Sequence, residues 1–222
     1  MASFLLLGVT GTGKTLTAEA IAEAINGDPD AMVRVDCGEL QEEHSISKLT
    51  GSPAGYIGHG QTEALITPEI LAKITSKKHN VNIVLIDEIE KASASLERLL
   101  LAILDTGKMT TASNKVVDFS NTIFILTSNL GQGDMQKILT ENNNIGFAKI
   151  NTGTATDQMK KRDDRLVKAA LYAAGKRLSP EFLNRINKTF VFSQLTPEES
   201  LKVLNMNLAA VQRKNFFANT MT

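Results

Sequence analysis

Tryptophan is absent from this chain of 222 residues, and cysteine occurs once, at Cys37. A single thiol closes no intramolecular disulfide, so a small cross-linked secreted scaffold is excluded and a reducing compartment is expected. Cys37 follows an apolar run and reads as a small buried residue rather than a reactive thiol. Net charge is lacking too, because 24 Lys and Arg offset 24 Asp and Glu. Without a broad positive field there is nothing to hold a nucleic-acid backbone. The densest basic cluster, Lys160, Lys161, Arg162, Arg165 and Lys168, is interrupted by Asp163 and Asp164. That is the pattern of a solvated helix face. No apolar run approaches the roughly 20 residues of a membrane span, and no secretory pattern stands at the N-terminus. The expectation is a soluble, cytoplasmic protein without membrane or nucleic-acid partners. Internal repeats and low-complexity tracts are also missing.

What is present is an ordinary globular mixture, 42% hydrophobic and 22% charged. The length suits one sizeable domain with a fragment of a second. Apolar runs at 3–7, 32–36, 82–87, 122–127 and 189–192 alternate with helix-like segments, the pattern of an α/β fold with a mainly parallel sheet. Helices are expected from Lys14 through an apolar stripe at Leu16, Ala20, Ile21 and Ala24, then over 67–78, 94–104, 134–139 and 157–177. Residues 40–49 read as a short helix or helical turn, and 106–118 as a loop or hairpin. Ser179-Pro180-Glu181 and Thr196-Pro197-Glu198 are helix starts, the second opening an amphipathic helix to about residue 215. The polar stretch 141–156 is long for a loop within one domain, which marks it as functional or mobile.

Ser3 to Thr17, SFLLLGVTGTGKTLT, organises the chain. The apolar run ends at Gly8 and passes through Val9, Thr10, Gly11, Thr12 and Gly13 to Lys14, Thr15 and Leu16. A strand-like run before G-x-x-x-x-G-K-T and a helix after it is the context of a phosphate-binding loop. The glycines let successive backbone N–H groups turn inward at a helix N-terminus, and Lys14 then reaches the β- and γ-phosphates of a nucleoside triphosphate. The Thr15 hydroxyl suits Mg²⁺.

A second motif is Ile83-Val84-Leu85-Ile86-Asp87-Glu88. A buried parallel strand delivers two carboxylates at its C-terminal end, where such sheets bind ligands. Asp87 suits metal coordination and Glu88 suits activation of the attacking water. The apolar run 123–126 ends in Thr127-Ser128-Asn129 at the same edge. Asn129 there suits a hydrogen bond to the γ-phosphate or the water, although asparagine after a strand also serves as a turn former. In Pro180-Glu181-Phe182-Leu183-Asn184-Arg185, the arginine suits either stabilisation of transition-state charge or a surface ion pair.

Taken in order, GVTGTGKT, LTGSPAGYIGH, VLIDEIEKA, VVDFSNTIFILTSNLG and PEFLNRI make the chain resemble the Clp-type AAA+ ATPases. The likeness is to the second ATPase module of ClpA, ClpB and ClpC, and it runs from residue 3 to about 193. The resemblance implies a P-loop NTPase with a five-stranded parallel sheet ordered 5-1-4-3-2 and flanked by helices. It implies a large nucleotide-binding subdomain at 1–194 and the first helix of a lid subdomain at 195–222. Function by resemblance is Mg²⁺-dependent ATP hydrolysis driving polypeptides through the pore of a homohexameric ring. Asn129 is implied as the γ-phosphate sensor and Arg185 as a finger acting on the adjacent subunit's ATP.

Gly55-Tyr56-Ile57-Gly58 matches the family's pore loop, where Tyr56 offers a flat apolar grip on a threaded chain, and 106–115 sits where a second pore loop is expected. Ile145-Gly146-Phe147 stands where some relatives carry a tripeptide that docks a ClpP-type peptidase. An equal reading has Ile145 and Phe147 pinning the loop to its own domain. The chain departs from the pattern at Val9, usually proline, at Ser179, often arginine, and in a longer segment between Tyr56 and Asp87. It begins one strand before the phosphate loop and stops within the lid, so it reads as part of a longer protein. A nucleic-acid motor or loader of the wider AAA+ clan and a nucleotide-regulated interaction module without turnover remain as alternative readings.

Overall fold

Strands covered on both faces need no polar side, and the apolar runs of this sequence behave accordingly. The computed structural model describes residues 1–52, 64–141, 155–195, 198–205 and 208. The first half carries β1 (Ala2–Gly8), α1 (Lys14–Asn26), β2 (Val33–Asp36), α2 (Ser47–Thr50), α3 (Pro68–Ile74) and β3 (Asn82–Asp87). After it come α4 (Ala94–Thr106), β4 (Lys108–Thr110), β5 (Val116–Asp118) and β6 (Thr122–Ser128). The last elements of the sequence are α5 (Gln132–Glu141), α6 (Ala155–Arg177), α7 (Pro180–Asn184) and β7 (Lys188–Phe192). Single 3-10 turns occupy Cys37–Glu39, Glu43–Ile46 and Ile89–Lys91.

The main sheet has the order β2-β3-β6-β1-β7, with every neighbouring pair parallel. Counting only its five strands in chain order, this is the expected 5-1-4-3-2. The register sets Leu7 beside Ser128, Ile86 beside Leu126 and Asp36 beside Asp87, so the strands finish along one edge. The segment 106–118 is a hairpin, with β4 and β5 antiparallel and Met109 opposite Val117.

Strand alternation sorts the core into two faces. Leu5, Leu7, Val84, Ile86, Phe124 and Leu126 pack with residues of α4, α6 and α7, including Leu96, Leu100, Ala170 and Phe182. Leu6, Ile83, Leu85 and Ile125 meet Ala18 and Ala22 of α1 on the other face. This corrects the expected stripe on α1. Leu16, 44% exposed, Ala20 and Ala24 face out, whereas Ile21 and Ile25 border the buried alanines. The phosphate loop sets the phase: Lys14 turns inward, and positions four and eight further on share its face.

Helix α3 also ends earlier than expected, at Ile74. Thr75 is extended, and the hydroxyl of the buried Ser76 donates to the Ile25 carbonyl at 2.9 Å. The Ser76 N–H then bonds the Val81 carbonyl, which turns the chain into β3. Residues 40–49, read as a short helix or helical turn, hold the 3-10 turn Glu43–Ile46, which runs directly into α2. By contacts the chain divides into Met1–Phe192 and Ser193–Thr222. In the second unit residues 198–205 are helical. Among the described residues no helix is long and apolar enough to cross a membrane.

Candidate nucleotide site

The site begins where β1 runs out. Gly8 lies so close to β7 that a β-carbon there would stand 2.7 Å from the Phe192 carbonyl oxygen. Gly11 and Gly13 take left-handed φ values of 81° and 88°, which folds the loop back over the start of α1. The N-cap residue of that helix is Gly13, which has no side chain to accept from the first amides of α1. A curled loop at a helix N-terminus without such a cap is the arrangement that receives phosphate oxygens. The Thr12 hydroxyl ties the loop by donating to the Val9 carbonyl at 2.8 Å.

Lys14 is 7% exposed. Its Nζ donates to the carbonyls of Gly8 and Val9 at 2.9 and 3.0 Å and to Asn129 Oδ1 at 2.8 Å. Burial pushes this ammonium below its ordinary pKa, and the nearby carboxylates of Glu90, Asp87 and Glu88 oppose the shift. A desolvated cation under a glycine loop is a strong anion ligand, since less water must be removed when a phosphate arrives.

The adjoining strand ends supply the carboxylates. Asp87 Oδ2 accepts from the Thr15 hydroxyl at 3.4 Å, and Asp87 Oδ1 accepts from the Thr127 hydroxyl. Thr127 is 1% exposed and its hydroxyl also receives the Glu88 N–H at 3.1 Å, so it fixes both acids. Glu88 itself sits in left-handed backbone, φ 55°, ψ 51°, an unusual conformation for a side chain of its size. Its Oε1 accepts from Asn129 Nδ2 at 3.3 Å and its Oε2 pairs with Lys91 Nζ at 2.6 Å.

Of the residues expected at the site, the structure brings Lys14, Thr15, Asp87, Glu88 and Asn129 into one hydrogen-bonded group. Among the described residues no cluster of three or more His, Cys, Asp or Glu is arranged to hold a metal. The donor set fits Mg²⁺ nonetheless, because that ion keeps several waters and substrate oxygens and needs only one or two protein oxygens. The Thr15 hydroxyl and the Asp87 carboxylate stand adjacent and could supply them.

Arg185 is not brought to this group. Its carbonyl accepts from the Ser3 hydroxyl at 2.8 Å, near the beginning of β1, and its side chain pairs with Asp105 of α4. Five residue steps along β1 separate Ser3 from Gly8, about 17 Å of extended chain. Leu16 lies on the exposed side of α1. The expected pore loop Gly55, Tyr56, Ile57 and Gly58 and the tripeptide Ile145, Gly146 and Phe147 lie outside the described residues, as do Thr196 and Pro197.

The sequence reading missed Thr127, Glu90, Lys91 and Arg177. Thr127 was visible as one of three polar residues ending an apolar strand, but nothing local distinguished it from Ser128. Arg177 looked like one more cation on a basic helix. In the structure it donates to the carbonyls of Glu90 and Ala92 at 2.9 and 2.8 Å, across the turn that follows Glu88.

Known proteins resemble the chain as a whole in family and fold. The model of the AAA domain (Cdc48 subfamily) family matches residues 1–189. The chaperone protein ClpB of Oceanobacillus iheyensis is 37% identical over 212 residues, which is 96% of this chain and 24% of that protein. The ATP-binding subunit ClpC of the ATP-dependent Clp protease of Staphylococcus aureus is 38% identical over 204 residues, 92% of this chain and 23% of that protein. Among solved structures, the closed state of Hsp104 with ATPγS and FITC casein aligns at a TM-score of 0.68 and 34% identity, covering 96% of this chain and 32% of that one. The extended conformation of the Saccharomyces cerevisiae Hsp104–casein complex gives 0.70 and 33%, again over 96% and 32%. The chain thus spans about a quarter of the length of these ClpB and ClpC relatives.

Proposed function

This chain belongs to the AAA domain (Cdc48 subfamily) family, within the Clp-type AAA+ ATPases, and from that membership we propose that it binds and hydrolyses Mg²⁺-ATP to drive polypeptide unfolding. The observation that carries the reading is the group Lys14–Asn129–Glu88 beside Thr15–Asp87, closed by hydrogen bonds along the sheet edge. Bound Mg²⁺-ATP supplies the labile phosphoric anhydride and the metal that offsets its negative charge. The loop amides from Gly8 to Leu16 and the Lys14 ammonium bind its phosphates. Thr15 and Asp87 hold the metal. Glu88 takes the proton of the attacking water on its carboxylate, and Asn129 orients that water or the terminal phosphate through its side-chain amide.

Arg185 then acts on the nucleotide of an adjacent copy, which requires heterologous contacts that close into a ring, in this family a homohexamer. Its distance from its own phosphate loop supports this assignment, since it cannot serve the site on its own chain. Residues 1–194 act as the large subdomain and 195–222 as the start of a lid. Tyr56, flanked by Gly55, Ile57 and Gly58, grips the polypeptide, and Ile145-Gly146-Phe147 offers a docking tripeptide to a ClpP-type peptidase. Hsp104 has been solved with casein, which supports a polypeptide substrate here. The buried, unpaired Cys37 supports a reducing, cytoplasmic setting.

The test is Glu88→Gln. ATP binding, followed with a fluorescent nucleotide, is expected to stay within about threefold of wild type while turnover falls at least about a hundredfold. Turnover equal to wild type would remove Glu88 from the mechanism.

A further inference from the structure

Asn129 is useful to the proposed hydrolysis only if its side-chain amide points at the reacting atoms, and its own peptide unit lies beyond the last residue of β6. What holds it there is Glu90. The Asn129 N–H donates to Glu90 Oε1 at 3.1 Å. Glu90 is held in turn through its backbone, since Arg177 Nε donates to its carbonyl at 2.9 Å. Arg177 also bonds the Ala92 carbonyl and pairs with Glu97 at 3.5 Å, so the end of α6 braces the turn Ile89–Lys91 from outside. The second Glu90 oxygen, Oε2, is buried and has no hydrogen-bond partner among the described residues. A carboxylate kept in that position at a desolvation cost needs a compensating role.

We infer that Glu90 is a positioning residue for Asn129: its carboxylate clamps the Asn129 peptide, which aims the Asn129 side chain between Lys14 and Glu88. This rests on the ATPase reading above and extends it by one residue. The clamp is a charge-assisted bond, stronger than an ordinary amide pairing. Arg177 makes it rigid by fixing the residue that carries it. Glu88 and Glu90 thus divide the work, Glu88 facing the side chain of Asn129 and Glu90 its backbone.

Two substitutions separate the hydrogen bond from the charge. Glu90→Ala removes both, whereas Glu90→Gln removes the charge beside Lys14 and keeps an oxygen that accepts the Asn129 N–H. Any change in nucleotide affinity that the variants share therefore belongs to charge, and any difference between them belongs to the bond. The first readout is the backbone amide resonance of Asn129 in the intact chain. In Glu90→Ala it is expected to move upfield and to exchange with solvent about tenfold faster or more, and in Glu90→Gln to stay near wild type. The second is steady-state ATP turnover, with kcat of Glu90→Ala about tenfold or more below that of Glu90→Gln and KM equal in the two. An Asn129 amide unmoved in Glu90→Ala, or the same kcat in both variants, would overturn the assignment. A wild-type chain that binds ATP without turning it over overturns the hydrolytic reading instead, and the Asn129 resonance then decides the role of Glu90 alone.

Discussion

Gly8 is required by space. The loop must leave β1 where β7 ends, and a methyl group at this position would overlap the backbone of Phe192. Gly8→Ala is expected to lower stability by about 1–3 kcal/mol, because neighbouring backbone must shift to admit it. Urea denaturation of the two proteins checks this. Thr127 shows how one hydroxyl can serve two acids, donating to Asp87 and accepting from the Glu88 amide. Thr127→Val keeps the shape and removes both bonds. Mg²⁺ affinity in the presence of nucleotide is expected to fall about tenfold or more, measured by titration calorimetry. Cys37 is the opposite case, a residue next to the site with no part in it. Burial, reinforced by the nearby carboxylates with Asp36 first, pushes its thiol up to about 12. It therefore stays protonated at pH 8, and a thiol reagent is expected to label it only when urea opens the chain.

At the scale of elements, side-chain caps begin three of the helices, α3, α4 and α7. Ser93 begins α4 by accepting the Leu96 N–H, Thr67 begins α3 by accepting that of Ile70, and Ser179 begins α7 by accepting that of Phe182. Ser93→Ala is expected to cost about 1 kcal/mol in equilibrium unfolding, the usual value of such a cap. These starts were readable because cap chemistry involves only three or four successive residues. The end of α3 was not readable, because it depends on the Ser76 hydroxyl reaching Ile25 across 51 positions of sequence. The hairpin is anchored to α3 by Lys115, whose Nζ meets Glu69 Oε1 at 2.5 Å. That bond, with Glu69's own amide and the Thr67 hydroxyl, holds the Glu69 carboxyl down at about 2. A depressed carboxyl contributes stability that is complete above its unfolded pKa of about 4.5 and is lost as pH falls toward 2. Glu69→Gln is therefore expected to flatten the acid side of the stability–pH curve between these values. Because both groups are exposed, the difference should shrink in high salt.

For the whole molecule, the decisive feature is that the phosphate loop and Arg185 are attached to opposite ends of β1. If Arg185 completes a neighbour's site, activity is a property of the assembly. Specific ATPase activity is then expected to rise with protein concentration. An Arg185→Ala chain and a Glu88→Gln chain, each inactive alone, should recover activity when mixed, because each supplies what the other lacks. No recovery across a range of mixing ratios would argue that Arg185 serves only its ion pair with Asp105.

Much of this architecture could be read from the order of residues alone, for a physical reason. The phosphate loop, the acidic strand end and the helix starts each concentrate their chemistry within a few consecutive positions, so spacing carries the information. The parallel sheet follows from apolar runs separated by helices, since parallel strands need long crossovers. The tertiary structure decided what depends on residues far apart in the chain. It set the phase of α1, which a stripe of apolar residues misassigned because Lys14 had to face inward. It made Thr127 a shared ligand of Asp87 and Glu88. It also turned Glu90 and Arg177, indistinguishable in sequence from surface charges, into the brace behind Asn129, because only the packing of α6 against the turn after β3 brings those atoms within bonding distance.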